Sequence, residues 1–163
     1  MCGPKNDRAY SSGLVKDVAG PVVFVRSPKM RGVRPGALCH IVGYVLARVS
    51  PRVRGDVSVV ITNDRTIRRL NLRYRGLDTP TDVLSFPLSD GAREGEPFGD
   101  ILISHETARR QAREYGASLA DEIARLAVHG ALHLCGYDHR ERKEAARMHG
   151  VARRLLRELS AGA

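Results

Sequence analysis

Three histidines lie close together near the carboxyl end of the chain, in the segment HGALHLCGYDH at residues 129–139. His129 and His133 are four residues apart, and such residues share one face of a helix with their Cβ atoms roughly 6 Å apart. Gly136 is suited to end that helix, because glycine accepts the left-handed conformation that turns the chain. The turn can bring His139 back over the same face. We therefore predict a metal site with these three imidazole ligands.

This ligand set is typical of a catalytic zinc site. Zinc binds imidazole nitrogen at about 2.0–2.1 Å and is usually four-coordinate, so three protein ligands leave one position open for water. The ion lowers the pKa of that water toward about 7. Because the ligands are neutral, the site keeps its positive charge and favours an anionic substrate such as a phosphodiester. We predict one zinc ion as cofactor, although three imidazoles also suit nickel, copper or iron.

The other histidines and the nearby cysteine are interpreted as structural or surface residues. His40, His105 and His149 stand apart from the cluster in sequence, and Cys135 projects to nearly the opposite side of the helix from the histidine face. We expect Cys135 to be a small core residue. A thermolysin-like protease carries Glu directly after its first histidine, whereas this chain has Gly130. The usual proteolytic machinery is therefore absent from the motif.

A second unusual segment, NLRYRGLDTPTDVLSFP, occupies residues 71–87. We predict that Arg73 and Arg75 lie in a loop that leads into a strand. Arginine there can bind a phosphate oxygen bidentately and stabilise charge that develops in a transition state. The alternative is an ion pair between either arginine and a nearby carboxylate such as Asp78, and spacing alone favours that alternative.

The elements that must position these residues indicate an α+β fold. Strands are predicted at residues 22–25, 57–62, 83–86 and 100–103. Helices are predicted at residues 35–49 and 65–72, and after the capping residues Ser104, Ser118 and Asp138 as far as residues 115, 134 and 159. We expect a small mixed sheet of about four strands packed with about five helices. Residues 1–20 are predicted to form a flexible N-terminal extension, and residues 21–163 a single domain.

The charge balance points to a polyanionic partner. Lys and Arg number 27 against 18 Asp and Glu, for a net charge of +9. On charge alone, a solvated basic surface without a specific partner is an equal alternative. Three cysteines without a pairing pattern argue against a secreted disulfide scaffold. With no stretch apolar enough to span a membrane and no signal-peptide pattern, we expect a cytoplasmic protein without a membrane partner.

The two motif segments together resemble the YbeY family. The resemblance rests on HGALHLCGYDH at residues 129–139, on LNLRYRGLDTPTDVLSFP at residues 70–87, and on Gly99-Asp100 before a strand. It extends from about Val57 to the carboxyl terminus. The chain departs from the family pattern at Cys135, a position that is often Leu, and this change leaves the metal site intact.

The resemblance implies a single-domain α+β metalloprotein in which His129, His133 and His139 bind zinc. It also implies that Arg75 is important for activity and lies in the groove that leads to the metal. The family acts as single-strand-specific endoribonucleases in maturation of the 16S rRNA 3′ end and in ribosome quality control. The expected partners are therefore small-subunit rRNA and ribosomal proteins. Asp138 either orients a ligand histidine as a hydrogen-bond acceptor or caps the last helix.

Two other functions remain open from the sequence. A ribosome assembly or RNA-binding factor with a structural zinc would need a closed four-ligand site, and removal of its metal would unfold it. A metal-dependent hydrolase of another substrate, such as a peptide, is disfavoured by Gly130 and by the basic charge.

Overall fold

The computed structural model describes residues 10–15, 21–89, 93–138 and 141–162. The chain forms five strands and five helices within these residues. The strands are β1 (Tyr10–Val15), β2 (Val23–Pro28), β3 (Asp56–Thr62), β4 (Val83–Pro87) and β5 (Pro97–Ser104). The helices are α1 (Pro35–Val49), α2 (Asp64–Arg75), α3 (His105–Tyr115), α4 (Leu119–Leu134) and α5 (Arg142–Ala161). None of these helices is long and apolar enough to cross a bilayer.

The strands form one mixed sheet in the order β1-β2-β3-β5-β4. Strands β2, β3 and β5 run parallel, and the two edge strands β1 and β4 are antiparallel to their neighbours. The α+β class is confirmed, but the sheet has five strands rather than about four. The additional strand is β1, which lies within the segment predicted as a flexible extension. Strand β1 is stabilised by pairing with β2, and the sequence of β1, YSSGLV, does not by itself predict a strand. The division into an extension and one domain stays a prediction.

The main core lies between one face of the sheet and helices α1 and α4. Along β3, Val57, Val59 and Ile61 are fully buried while the alternate residues are half-buried. Helix α1 contributes the apolar face predicted from its spacing, with Leu38, Cys39, Val42, Val45 and Leu46 buried. This alternation assigns one face of each strand to the core beneath α4.

Helix α2 covers the opposite face of the sheet at its β4–β5 edge. Side chains alternate along β4, so Leu84 and Phe86 project away from the face on which Ser85 meets α4. Leu84 is fully buried, as is Ile67 on α2. The edge strand β4 is therefore sandwiched between α2 and α4, and this arrangement positions the candidate site.

Local capping signals predicted most helix ends correctly. Ser104 and Ser118 cap α3 and α4 by accepting hydrogen bonds from the backbone N–H groups of Thr107 and Asp121.

The predicted end of α2 and the predicted start of α5 were wrong. Helix α2 continues to Arg75 because Gly76, with φ of 71°, is its left-handed cap. Helix α5 begins at Arg142 after Glu141, so the predicted cap at Asp138 is incorrect.

A polar junction joins the first turns of α2 and α3. The carboxylate of Asp64 accepts hydrogen bonds from the hydroxyls of Ser104 and, at 2.7 Å, Thr107, and pairs with Arg110 at 2.9 Å. The backbone N–H of Asp64 donates to Glu106 at 2.8 Å. Burial raises the pKa of Asp64, but the hydrogen bonds and the Arg110 charge outweigh it and hold that pKa below its ordinary value of 3.8.

We predict that Asp64→Asn lowers the free energy of unfolding by about 1.5–3 kcal/mol at pH 7, the range for a hydrogen bond to a charged group. Because the folded pKa lies below the unfolded one, the carboxylate stabilises the fold above about pH 4. Its contribution is lost as pH falls through the lowered pKa. Urea unfolding from pH 7 to pH 2.5 measures both effects. Glu114→Gln, an exposed carboxylate on α3 outside this junction, is the control. A difference between wild type and Asp64→Asn that stays constant with pH would contradict the prediction.

Candidate metal and phosphate site

His129 and His133 lie one turn apart on α4 with their ring nitrogens directed at each other. Their Nε2 atoms are 3.1 Å apart, and the ring centroids are separated by 4.7 Å with the rings steeply inclined. Both side chains are half-buried. The predicted i, i+4 pairing on one helix face is confirmed. Helix α4 also ends as predicted, at Leu134, with Gly136 in a positive-φ conformation.

The position of this pair depends on the close approach of α4 to the sheet at Gly130. A Cβ atom at Gly130 would lie 2.6 Å from Ile101 Cγ2 on β5 and 3.2 Å from Ser85 Oγ on β4. The Ser85 hydroxyl donates a hydrogen bond to the Gly130 carbonyl at 3.2 Å. No side chain therefore fits at the position where a thermolysin-like protease carries its glutamate. The contact brings the histidine face of α4 to the edge strand β4.

A second glycine makes a similar contact near the end of the helix. A Cβ atom at Gly99 on β5 would lie 2.6 Å from Leu134 Cδ2 and 3.0 Å from the Phe86 carbonyl oxygen. Both Gly99 and Leu134 are buried. The second half of α4 is thus packed against β4 and β5 at two points where an added Cβ would force a neighbouring side chain to shift.

The histidine pair opens into a cavity of about 370 Å³ between the edge of the sheet and α5. Its walls come from the end of α2, the start of β4, the middle of α4 and the first half of α5. The lining residues are Arg75, Thr81, Asp82, Val83, Ser85, His129, His133, Ala145 and His149. The cavity therefore combines three imidazoles, an arginine and a carboxylate, which come from α4, α5, α2 and the residue before β4.

Arg75 reaches this cavity from the last turn of α2. The prediction that Arg73 and Arg75 lie in a loop is wrong, because α2 continues to Arg75. Within the described residues its exposed guanidinium forms no ion pair or hydrogen bond, so its donors face solvent and the cavity. Asp78, the suggested alternative partner, binds Arg68 instead, through two hydrogen bonds of 2.7 and 2.8 Å. Arg73 does not line the cavity, and its guanidinium carbon lies 5.4 Å from the centroid of the Tyr74 ring.

The segment between α2 and β4 is tied back onto α2. The buried Asn71 side chain donates to the Thr79 carbonyl at 2.8 Å, and the Arg68–Asp78 pair closes the same segment. Asp82 then accepts from the Val83 N–H at 2.8 Å and from the Thr81 hydroxyl at 3.2 Å through one oxygen. Its other oxygen accepts from the Gln111 amide at 3.1 Å. The carboxylate is therefore held in a fixed orientation at the cavity.

Sequence reasoning missed Asp82, Ser85 and His149 as members of the site. Asp82 and Ser85 were within the second motif, whose TDVLS run at the start of a strand was a usable signal. His149 was interpreted as a structural or surface residue. It is exposed on α5, yet it lines the histidine cavity because α5 packs beside α4. His40 and His105 do not line the cavity.

The remaining predicted site residues lie elsewhere. His139 lies outside the described residues, so its role as third ligand stays a prediction. Asp138 lines a separate small cavity with Cys135, Glu144 and Arg147. Its proposed contact with a ligand histidine also stays a prediction. Cys135 is half-buried beside the core, as predicted, and burial raises the pKa of its thiol, which disfavours the thiolate that zinc would require.

The two described histidine nitrogens, those of His129 and His133, are spaced suitably for a zinc ion. Two nitrogens bound at 2.0–2.1 Å to one tetrahedral ion lie about 3.3 Å apart, close to the separation of the His129 and His133 Nε2 atoms. Without a metal, the same separation suits an N–H···N hydrogen bond between the rings. Within the described residues no group of three His, Cys, Asp or Glu side chains is placed to hold a metal. A three-ligand zinc site at this pair would need its third ligand from outside these residues.

A family model described as "Endoribonuclease YbeY" matches residues 37–160, more than half of the chain. The chain belongs to the YbeY family. It is 48% identical over 113 residues to the Endoribonuclease YbeY of Heliobacterium modesticaldum, an alignment that covers 63% of this chain and 68% of the relative. The Aquifex aeolicus Endoribonuclease YbeY is 55% identical over 84 residues, with 52% of this chain and 56% of that protein covered.

A solved structure shares the fold. The solution structure of TM1509 from Thermotoga maritima aligns with a TM-score of 0.55 at 28% identity, and covers 86% of this chain and 90% of that one. The resemblance to the YbeY family inferred from the two motifs is thus confirmed.

We predict that Gly130→Ala in this YbeY-family chain lowers the free energy of unfolding by about 1–3 kcal/mol, the usual cost of overpacking. The added methyl group must displace Ile101 or lift α4 from the sheet. Gly150→Ala on α5, where a Cβ meets nothing within 4 Å, is the matched control. It should stabilise the fold by about 0.5–1 kcal/mol through helix propensity. Urea unfolding of both variants decides the question, and an unchanged midpoint for Gly130→Ala would refute the close-approach argument.

Proposed function

We propose that this chain is a zinc-dependent, single-strand-specific endoribonuclease that acts in 16S rRNA 3′-end maturation and in ribosome quality control. The observation that carries the proposal is that His129, His133 and Arg75 line one cavity. Membership of the YbeY family supports hydrolysis of RNA. The proposal implies a cytoplasmic protein whose partners are small-subunit rRNA and ribosomal proteins.

His129, His133 and His139 would hold the metal. A zinc ion there supplies Lewis-acid polarisation and lowers the pKa of water toward about 7. The Ser85–Gly130 hydrogen bond joins α4 to β4, and the i, i+4 spacing on α4 places the two described imidazoles close together. The site's chemistry then depends on what the other cavity residues do with an RNA phosphate.

Arg75 would bind the scissile phosphate. Its guanidinium presents a planar set of donors that matches two phosphate oxygens, and those donors have no other acceptor among the described residues. The last turn of a helix is a favourable position for a cation, so the side chain is stable there without a carboxylate partner. Binding the phosphate also places positive charge where negative charge increases during hydrolysis.

Asp82 would take the proton of the attacking water. Hydrolysis joins a water oxygen to phosphorus and breaks one P–O bond. The attacking water gives one proton to a nearby base, and the leaving ribose oxygen takes up one proton from that base or from solvent water. A carboxylate has about four lone-pair sites, and three of those of Asp82 already accept hydrogen bonds. The remaining site keeps its capacity to accept a proton, and the orientation is set by Gln111 and by the backbone of β4.

A peptide hydrolase is the less favoured alternative. The glutamate that follows the first histidine in thermolysin-like proteases has no room at Gly130, where even a methyl group would meet Ile101. The exposed arginines of α2, at positions 65, 68, 69, 73 and 75, favour a polyanion. Zinc binding with its effect on folding, and cleavage of RNA, are the two measurements that distinguish an assembly factor from an enzyme.

We predict one zinc ion per chain, measured by equilibrium dialysis with elemental analysis. His133→Ala and His139→Ala should each weaken zinc binding by more than roughly 100-fold, above the loss usual for an outer-shell partner. His40→Ala, an exposed histidine outside the cavity, is the control and should bind as wild type. Removal of the metal should leave the circular dichroism spectrum largely unchanged. Unfolding on metal removal would instead support a structural zinc.

We predict that the zinc-loaded chain cleaves a single-stranded RNA and leaves its duplex intact. His129→Ala and Arg75→Ala should lower kcat/KM by at least roughly 100-fold. Asp82→Asn should lower kcat, since the amide cannot accept the proton. Arg75→Lys should be intermediate, because it keeps the charge but loses the planar fork. Arg113→Ala, an exposed arginine on α3 outside the cavity, controls for general charge loss. Cleavage by His129→Ala at the wild-type rate would contradict the proposed function.

A further inference from the structure

An exposed aromatic side chain stands beside the candidate site on the last turn of α2. Tyr74 is 58% exposed. One side of its ring packs on Phe86 of β4, with centroids 5.0 Å apart and planes inclined by 60°. The guanidinium carbon of Arg73 lies 5.4 Å from the Tyr74 centroid. The ring is therefore held in place by two neighbours while much of it faces solvent.

The chain places this ring next to the cavity. Tyr74 directly precedes Arg75, and Phe86 directly follows Ser85, and both Arg75 and Ser85 line the histidine cavity. Because alternate residues of a strand project to opposite faces, Phe86 lies across the edge strand β4 from Ser85. The aromatic pair and the histidine pair thus lie on the two sides of one short edge strand. Arg75, which directly follows Tyr74 in the chain, lines the histidine cavity.

We propose that Tyr74, supported by Phe86 and Arg73, is the stacking platform for one base of a single-stranded RNA whose scissile phosphate lies in the cavity. This inference rests on the proposed function and names a residue that determines its specificity. Unpaired bases of RNA stack readily on exposed aromatic rings, whereas duplex bases are already stacked on each other. A platform on the residue that precedes Arg75, a cavity residue, therefore selects single strands.

Charge complementarity favours RNA over a protein as the occupant. Arg73 and Arg75 flank Tyr74 in sequence, so a strand whose base lies on the ring finds cations for the phosphates on either side of that base. A protein partner that docked on the ring would need to supply acidic groups to both arginines. The net charge of +9 makes the whole surface more attractive to a polyanion.

The test is steady-state cleavage of a single-stranded RNA by the zinc-loaded full chain. Tyr74→Ala and Tyr74→Leu should raise KM by roughly 5- to 100-fold, the effect of losing one stacked base, with kcat nearly unchanged. Tyr74→Phe keeps the ring and should behave as wild type. Tyr115→Ala removes a tyrosine of similar exposure, 64%, from α3 and is the matched control. Since Tyr74 is exposed, the urea midpoints should stay close to that of wild type.

A second measurement uses the substrate instead of the protein. A set of RNAs, each with one abasic nucleotide at a different position, should include one position at which wild type shows a raised KM. At that position Tyr74→Ala should show no further increase, because the stacking partner is already absent. This pattern identifies the stacked base, and a role of Tyr74 in folding alone would not produce it.

Three results would overturn the platform while the nuclease proposal stands. These are an unchanged KM for Tyr74→Ala, a Tyr74→Phe variant as impaired as Tyr74→Ala, and an abasic scan with no sensitive position. A Tyr74→Ala variant that cleaves RNA normally but no longer binds small ribosomal subunits would identify a protein-docking surface instead. If wild type itself neither binds nor cleaves any single-stranded RNA, the proposed function fails and this inference fails with it.

Discussion

The close packing of α4 on strands β4 and β5 is the constraint on which the candidate site depends. Only a residue without a side chain lets the helix backbone approach Ile101 and accept the Ser85 hydrogen bond at Gly130. That approach brings His129 and His133 to the edge of the sheet, where they share a cavity with Arg75. The same contact consequently sets both the helix–sheet packing and the position of His129 and His133, so a substitution that loosens the core here also displaces the two histidines.

Both faces of the edge strand β4 contact residues of the candidate site or its surroundings. An exposed edge is a liability in most sheets, and β4 limits it by being five residues long and by ending at Pro87. Its alternation sends Ser85 toward α4 and the cavity, and Phe86 toward α2 and Tyr74. Helix α2 ends beside the same edge, which explains how an arginine from the far face of the sheet can line a cavity formed by α4 and α5.

The fold was predictable where its signals were local. Helices α1, α3 and α4 begin and end as predicted because proline at the first turn, serine caps and terminal glycines act within a few residues. Strand β1 was missed because it is defined by pairing with β2, and the end of α2 was misplaced because Gly76 was interpreted as loop punctuation instead of a helix cap. A capping pattern at Asp138 proved insufficient to start α5.

The difference between local sequence signals and tertiary packing also applies to the residues of the candidate site. The spacing of His129 and His133 encodes their proximity directly, since four residues on a helix bring two side chains to one face. His149 and Asp82 join them only through tertiary packing. The TDVLS run of the second motif marks Asp82, whereas the neighbours of His149 in sequence do not mark it. Asp138 illustrates the converse, because it lies within a few residues of the histidine pair in the chain yet faces a different cavity. Sequence adjacency thus identifies candidate ligands, while helix packing decides which groups share their cavity and supply the remaining chemistry.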